Sequence, residues 1–336
     1  MIFVTGGTGL VGSHILLRLA QEKKEFKALK RKGSSLGVCY KIFHYYGEQE
    51  VFKSINWFEG DINDITSLEE GMENCNMVLH CAGLVSFQSV DVDLLNKVNI
   101  EGTSNIMNIA LSKKIKKVGY VSSIATLGRN STNKMVDEET HFKITRHESN
   151  YAISKYYAEQ EVWRACAEGL DIIIVNPSVI LGPGNWDKGS SKIFQKIFNG
   201  LKFYTKGATG YVDVIDVADA LLKLTFSDIK NQRYILNGAN LKYRDCFNRI
   251  ARRMGKPEST IEVGNILKSI AWRLEYIKSF LLGTTPLLTK ETANSAMRSH
   301  KFSANKISQK LNFSFTDIDD TINKYSDWFI SEKKSS

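Results

Sequence analysis

A doubly wound α/β fold around a parallel sheet is the architecture this 336-residue sequence predicts. Three observations carry that expectation. Short apolar runs alternate with amphipathic stretches over the first 180 residues, the texture of strands buried on both faces and separated by helices. The first apolar run opens directly into a glycine cluster. At Leu181-Gly182-Pro183-Gly184-Asn185, a strong loop signal, the alternation gives way to an irregular mixture.

In order, strands are predicted at Ile2–Thr5, Phe26–Lys30, Asn56–Glu59, Met77–His80, Lys117–Ser122 and Asp171–Asn176. Amphipathic segments such as Gly12–Gln21, Ile65–Gly71 and Val98–Ser112 supply helices between them. Residues 1–180 are therefore expected to form a Rossmann-like domain. Residues 181–336 are expected to form a smaller mixed region on the strand ends, one wall of a cleft, with the chain free to cross between the two.

Composition narrows the function classes. The chain is 43% hydrophobic and 24% charged with four prolines, which excludes a disordered or Pro-rich protein. Its cysteines (Cys39, Cys75, Cys81, Cys166 and Cys246) contain no C-x-x-C pair, arguing against a zinc or disulfide framework and for a reducing, cytoplasmic setting without metal. The formal charge of +9 divides as +4 in residues 1–60, −3 in 61–230 and +8 in 231–336. Aromatic residues are not interleaved with a basic patch, so no nucleic-acid partner is expected. Ile266–Leu282 is apolar with Lys268, Arg273 and Lys278 interspersed. Membrane contact is one reading of it, and packing over a substrate cleft is the preferred one.

The opening Ile2-Phe3-Val4-Thr5-Gly6-Gly7-Thr8-Gly9-Leu10-Val11-Gly12-Ser13 places glycines at a strand-to-helix turn. Such glycines let the backbone turn tightly and approach a pyrophosphate at the helix N-terminus. Thr5, Gly6, Gly7, Thr8, Gly9, Leu10, Val11 and Gly12 are the candidate contacts. The glycine spacing is three and three, and here the sequence resembles the extended branch of the short-chain dehydrogenase/reductase superfamily, which opens T-G-x-x-G-x-x-G.

The end of the second strand reads Leu29-Lys30-Arg31-Lys32-Gly33-Ser34, with no carboxylate for a free ribose 2′-hydroxyl. Three cations suit a 2′-phosphate, which an Arg fork can bind bidentately. The cofactor expected is NADP, with NAD as the alternative, and the resemblance places Arg31 at the phosphate. It also implies that Asp61 meets the adenine amino group with Ile62 beside it. By the same resemblance Cys81, Ala82 and Gly83 let the cofactor pass, and the turn Pro177-Ser178-Val179 meets the carboxamide. His80 and Cys81 read as a buried strand-end pair.

Tyr151 and Lys155, in Ser149-Asn150-Tyr151-Ala152-Ile153-Ser154-Lys155, share one helix face. A phenol titrating near ~10 is a poor neutral-pH base, and a neighbouring ammonium favours the phenolate. The resemblance selects Ser123, five residues before Gly128, as the hydroxyl that binds the reacting oxygen, with Ser122, among the cofactor contacts, as backbone neighbour or understudy. It implies that Tyr151 exchanges the proton, that Lys155 binds the nicotinamide ribose, and that Asn99 fixes its helix and helps hold a water.

Dehydratases of this group carry an Asp-Glu pair where Ile124 and Ala125 stand. Epimerases usually carry an Arg in the stretch read here as Lys206-Gly207-Ala208-Thr209-Gly210-Tyr211-Val212-Asp213, where only Lys206 could substitute. The balance favours the dihydroflavonol-reductase and 3β-hydroxysteroid-dehydrogenase side. The expected reaction interconverts a carbonyl and a secondary alcohol on a fairly apolar small molecule, with a nucleotide-sugar 4-epimerase as the alternative and a dinucleotide-sensing regulator as a third. Val85, Ser86 and Phe87 are the candidate substrate contacts, with a lid around Trp186. A homodimer is compatible with this frame.

Overall fold

A computed structural model describes residues 1–128, 135–145, 148–264 and 296–335. The stretch Ile266–Leu282 lies outside the described residues. Seven parallel strands form the main sheet. In sequence they are β1 (Ile2–Thr5), β2 (Phe26–Lys30), β3 (Asn56–Glu59), β4 (Met77–His80), β5 (Lys117–Val121) and β6 (Asp171–Pro177), with a late seventh at Gln232–Leu236. Between β6 and that late strand lie β7 (Val179–Leu181), β8 (Phe203–Tyr204) and β9 (Ala208–Asp213), so the late strand is β10. The spatial order is β10-β6-β5-β4-β1-β2-β3, which reverses direction between β1 and β4. That reversal opens a crevice at the carboxyl ends of the strands, where ligands of such sheets bind.

Alternation along each strand explains the two layers. Ile2 and Val4 enter one apolar core with Ile15, Leu16, Val217 and Leu221, whereas Phe3 enters the other with Leu68, Ile106 and Val118. Strand β6 divides likewise, Ile173 and Val175 against Ile172 and Ile174. Both faces are thus covered, which is why these strands read as unbroken apolar runs.

The region past residue 180 does two jobs. Strand β10 pairs with β6, Gln232 against Ile173 through Leu236 against Pro177, and the helix Val214–Phe226 packs on the sheet. The sheet therefore draws on residues well beyond 180. The same region builds a small sheet in which β9 lies between β7 and β11 (Ala239–Lys242), and a pairing of β8 with β12 (Ile261–Glu262).

A buried carboxylate fastens the last helix, Ile318–Ser335, to this assembly. Asp213 caps the helix Val214–Phe226 by accepting from the Ile215 amide at 2.7 Å, and accepts also from Thr321 Oγ1 (2.9 Å) and Tyr325 Oη (2.8 Å). Among the described residues, no helix is long and apolar enough to cross a membrane.

Removing one donor from that carboxylate has a defined cost. Tyr325→Phe is expected to lower stability by roughly 1.5–3 kcal/mol, the range for a hydrogen bond to a charged group. Urea unfolding checks it, as a lower midpoint with an unchanged slope.

Candidate active site

The glycine loop is held by its own backbone. Gly6 has φ +73°, and a β-carbon on it would lie 2.6 Å from the Ala82 amide nitrogen. A β-carbon on Gly12 would lie 2.1 Å from the Gly6 carbonyl oxygen. The helix Leu10–Gln21 starts at Gly9 with no side chain bonded into its first turn. Its leading amides are therefore left for an anion. Thr8 stands at the rim of this turn, and Leu10 packs beneath Gly182 and Gly184. The residues present fit a dinucleotide pyrophosphate.

Thr5 and Gly7 serve the loop from below. Gly7 accepts from Ser13 Oγ through its carbonyl at 2.9 Å. Thr5 Oγ1 accepts from the Ala82 amide at 3.2 Å and lies 2.7 Å from His80 Nδ1, so Thr5 is a structural clasp between β1 and β4.

A groove of about 590 Å³ continues from the switch point, lined by Arg31, Lys32, Gly33, Ser34, Glu59, Gly60, Asp61, Asp64 and Ser67. The three cations at the end of β2 divide their work. Lys30 pairs with Glu59 at 3.2 Å, while Arg31 and Lys32 line the groove mouth. Asp61 accepts from the Asn63 amide at 2.9 Å, and the neighbouring Asp64 caps the helix Ile65–Gly71. Ile62 is buried, with its side chain under Gly102.

On the opposite side, the helix Asn150–Ala167 presents Tyr151 and Lys155, and Ser149 caps its start by accepting from the Ala152 amide at 3.1 Å. Ser123 opens the short turn Ile124–Thr126, accepting from the Ala125 amide at 3.1 Å. Burial pushes the Tyr151 phenol up and the neighbouring Ser123 hydroxyl pulls it back. Lys155 does not aim at Tyr151. Its ammonium donates to Tyr120 Oη at 2.6 Å and to the Val121 carbonyl at 3.0 Å. Burial lowers the Lys155 pKa to about 8 against the pull of Glu159. The expected lowering of the Tyr151 pKa by Lys155 is thus corrected: the phenol lies above its ordinary value.

Several expected contacts have other employment. Ser122 donates its hydroxyl to Glu159 Oε2 at 2.5 Å, which takes up the hydroxyl an understudy to Ser123 would need. Asn99, in a widened turn at Asn96–Glu101, donates to the Leu84 carbonyl and Ser154 Oγ and accepts from the Leu84 amide. Both of its amide protons are spent, leaving a water only one lone pair on its oxygen. Ser86 donates to Asp91 at 2.5 Å and holds its own loop. The lid expected at Trp186 is also corrected. The indole is 7% exposed, packed between Phe194 and Phe329 and bonded to Glu332, so it belongs to the core.

Phe87 is brought in: its ring meets the Tyr151 ring edge-to-face at 5.5 Å, with Val85 exposed nearby in the chain. Gly83 faces the Lys155 amine, 3.9 Å from the position a β-carbon would take. Cys81 and Ala82 pass close to Gly6 through their backbone, and burial pushes the Cys81 thiol up to about 12, leaving it un-ionised. Pro177 ends β6, Ser178 has its amide on the Leu236 carbonyl, and Val179 starts β7.

Two residues were missed in the sequence. Glu159, 1% exposed, accepts from Ser122, Thr126 and Asn176 and pairs with Arg233 at 3.1 Å. Asn176 in turn donates to the Ser123 carbonyl, so Glu159 fixes the turn that carries Ser123. Its position four residues beyond Lys155 on the same helix face was the available signal. Tyr120 was the other, two residues before Ser122 on the same face of β5.

A pyrophosphate cradle at a switch point, walled by a Tyr–Lys pair, is the machinery of enzymes that use a nicotinamide dinucleotide for oxidoreduction or epimerisation. That is the class which the fold and site define. The family follows from comparison: residues 2–236 match the NAD dependent epimerase/dehydratase family, and the chain belongs to it. It is 28% identical over 337 residues to a Synechocystis sp. protein with the provisional name dihydroflavonol 4-reductase, covering 97% of this chain and 94% of that one. Cinnamoyl-CoA reductase 2 of Medicago truncatula is 25% identical, covering 94% and 87%. In fold the chain is similar to UDP-glucose 4-epimerase of Thermotoga maritima, with a TM-score of 0.76, 18% identity and coverage of 98% and 99%.

Gly12→Ala tests the cradle. The displaced loop is expected to weaken binding of a reduced nicotinamide dinucleotide by about ten- to a hundredfold, ~1.4–2.7 kcal/mol. Fluorescence titration reads the affinity and far-UV circular dichroism confirms the fold; unchanged affinity would remove the loop from the binding site.

Proposed function

We propose that the protein is an NADP-dependent reductase that interconverts a carbonyl and a secondary alcohol on a fairly apolar small molecule. The carrying observation is the apolar wall at the proton donor: Phe87 lies edge-on against Tyr151, which has the Ser123 hydroxyl as a neighbour. A hydroxyl pair beside an aromatic ring suits a substrate oxygen on an otherwise apolar skeleton.

The nicotinamide dinucleotide supplies hydride when bound. Tyr151, kept protonated at neutral pH by burial, gives its proton to the substrate oxygen during reduction. Ser123 hydrogen-bonds that same oxygen and orients it. Lys155 holds two neighbours and has a third ammonium proton for a ribose hydroxyl. Arg31 and Lys32 at the groove mouth favour the 2′-phosphate of NADP. The reductase names of the Synechocystis and Medicago relatives support the same side of the family.

The epimerase reading rests on likeness of fold at 18% identity. The cation that it needs is not supported: Lys206 is largely exposed and pairs with Glu262 at 3.0 Å. Dehydration lacks its acid–base pair, since Ile124 and Ala125 follow Ser123.

NADPH is expected to bind at least about tenfold tighter than NADH, ~1.4 kcal/mol, with Arg31→Ala erasing the difference. UDP-glucose should leave the melting temperature unchanged. Tighter NADH binding together with a UDP-glucose shift would replace the reductase reading by the epimerase one. Tyr151→Phe should reduce ketone turnover by about 10²–10⁴-fold, the usual worth of a general acid, while NADPH affinity is kept. Turnover is read as NADPH consumption over a panel of aromatic and aliphatic ketones.

A further inference from the structure

The amine of Lys155 rests on a buried side-chain chain that the reading above does not use. Tyr120 lies beneath it, with the Lys155 nitrogen 2.6 Å from Tyr120 Oη and 4.4 Å from the ring centroid. Tyr120 stacks on the His80 ring at 5.4 Å and 25°. His80 is gripped at both nitrogens, Nε2 lying 3.0 Å from Thr103 Oγ1 and Nδ1 2.7 Å from Thr5 Oγ1. Thr5 Oγ1 then accepts from the Ala82 amide, beside Gly6 of the pyrophosphate loop. Thr5, His80, Thr103 and Tyr120 are all buried.

An ammonium only donates, so Tyr120 Oη accepts from Lys155. A neutral imidazole carries a single N–H, so one of the two threonine hydroxyls accepts from the His80 ring and the other donates to it. Burial, reinforced by the Lys155 charge, lowers the His80 pKa to about 3, so the ring is neutral.

We propose that Tyr120 is a positioning residue for Lys155, itself seated on a neutral His80 that Thr103 and Thr5 grip, and that this chain fastens the amine to the backbone of the dinucleotide loop. It rests on the reading of Lys155 as the ribose-binding lysine. The chain spans β1, β4, β5 and the helices at Gly102–Ser112 and Asn150–Ala167, so it sets the amine against the loop before any ligand enters. The other titratable groups that act on the amine are Glu159 and Cys81.

The test needs no turnover. Histidine side-chain ¹⁵N correlation spectra of the ligand-free protein, with His80 assigned by its loss in His80→Gln, are expected to show a neutral ring in one fixed tautomer from pH 6 to 9. Lysine ¹³Cε titration, with Lys155 assigned by Lys155→Met, is expected to give a midpoint near 8 that falls by about one unit in Tyr120→Phe. Thr103→Val should loosen the His80 ring, mixing its tautomers, and lower the Lys155 midpoint, and Thr103→Ser should restore both. This pair stands alone should Tyr120→Phe not fold. An imidazolium His80, or a Lys155 midpoint indifferent to Tyr120→Phe and Thr103→Val, overturns the proposal. Should the titrations behave as expected while Tyr151→Phe retains turnover, the reductase mechanism fails and the positioning chain stands.

Discussion

The α-carbon of Gly12 rests against the Gly6 carbonyl, leaving no volume for a side chain between the first strand and the first helix. Most of the site follows from that contact. It aims the helix at the crevice, where its unpaired amides can meet an anion. It also places Gly6 against the Cys81–Ala82 backbone, closing the loop onto the end of β4. The catalytic wall is then positioned by β5 and the helix Asn150–Ala167, packed on the same sheet.

Polar burial organises that wall from two sides. Behind Ser123, the Glu159 carboxylate gathers Ser122, Thr126, Asn176 and Arg233. Each of these donors is satisfied by the one carboxylate, which ties β5, β6, β10 and the helix Asn150–Ala167 together. Beneath Lys155, the Tyr120 and His80 rings stack on one another. Ser123 and Lys155 thus rest on buried side chains.

Much of this was legible in the sequence because the strands are buried on both faces. The runs at β1, β2, β3 and β4 give strands whose limits coincide with those observed, and the glycine turn and the Tyr151–Lys155 spacing carry their geometry with them. What was not legible depends on which way a polar side chain turns. Ser122 and Ser123 are adjacent in sequence, yet one bonds to Glu159 inside and the other neighbours Tyr151. Trp186 sits in a polar, glycine-rich stretch that reads as a loop, and only the distant helix Ile318–Ser335 gives it an apolar seat. Strand β10 lies beyond the regular alternation, and its membership of the sheet is decided by pairing with β6.

That late return has a consequence for biosynthesis. Until residues 232–236 leave the ribosome, β6 is the outermost strand of a growing sheet, with an open row of peptide groups and the apolar side chains Ile173 and Val175 lacking the helix Val214–Phe226. At translation rates of about 5–20 residues per second, that exposure lasts on the order of seconds. Over this interval the nascent chain offers a template for strand addition by other chains.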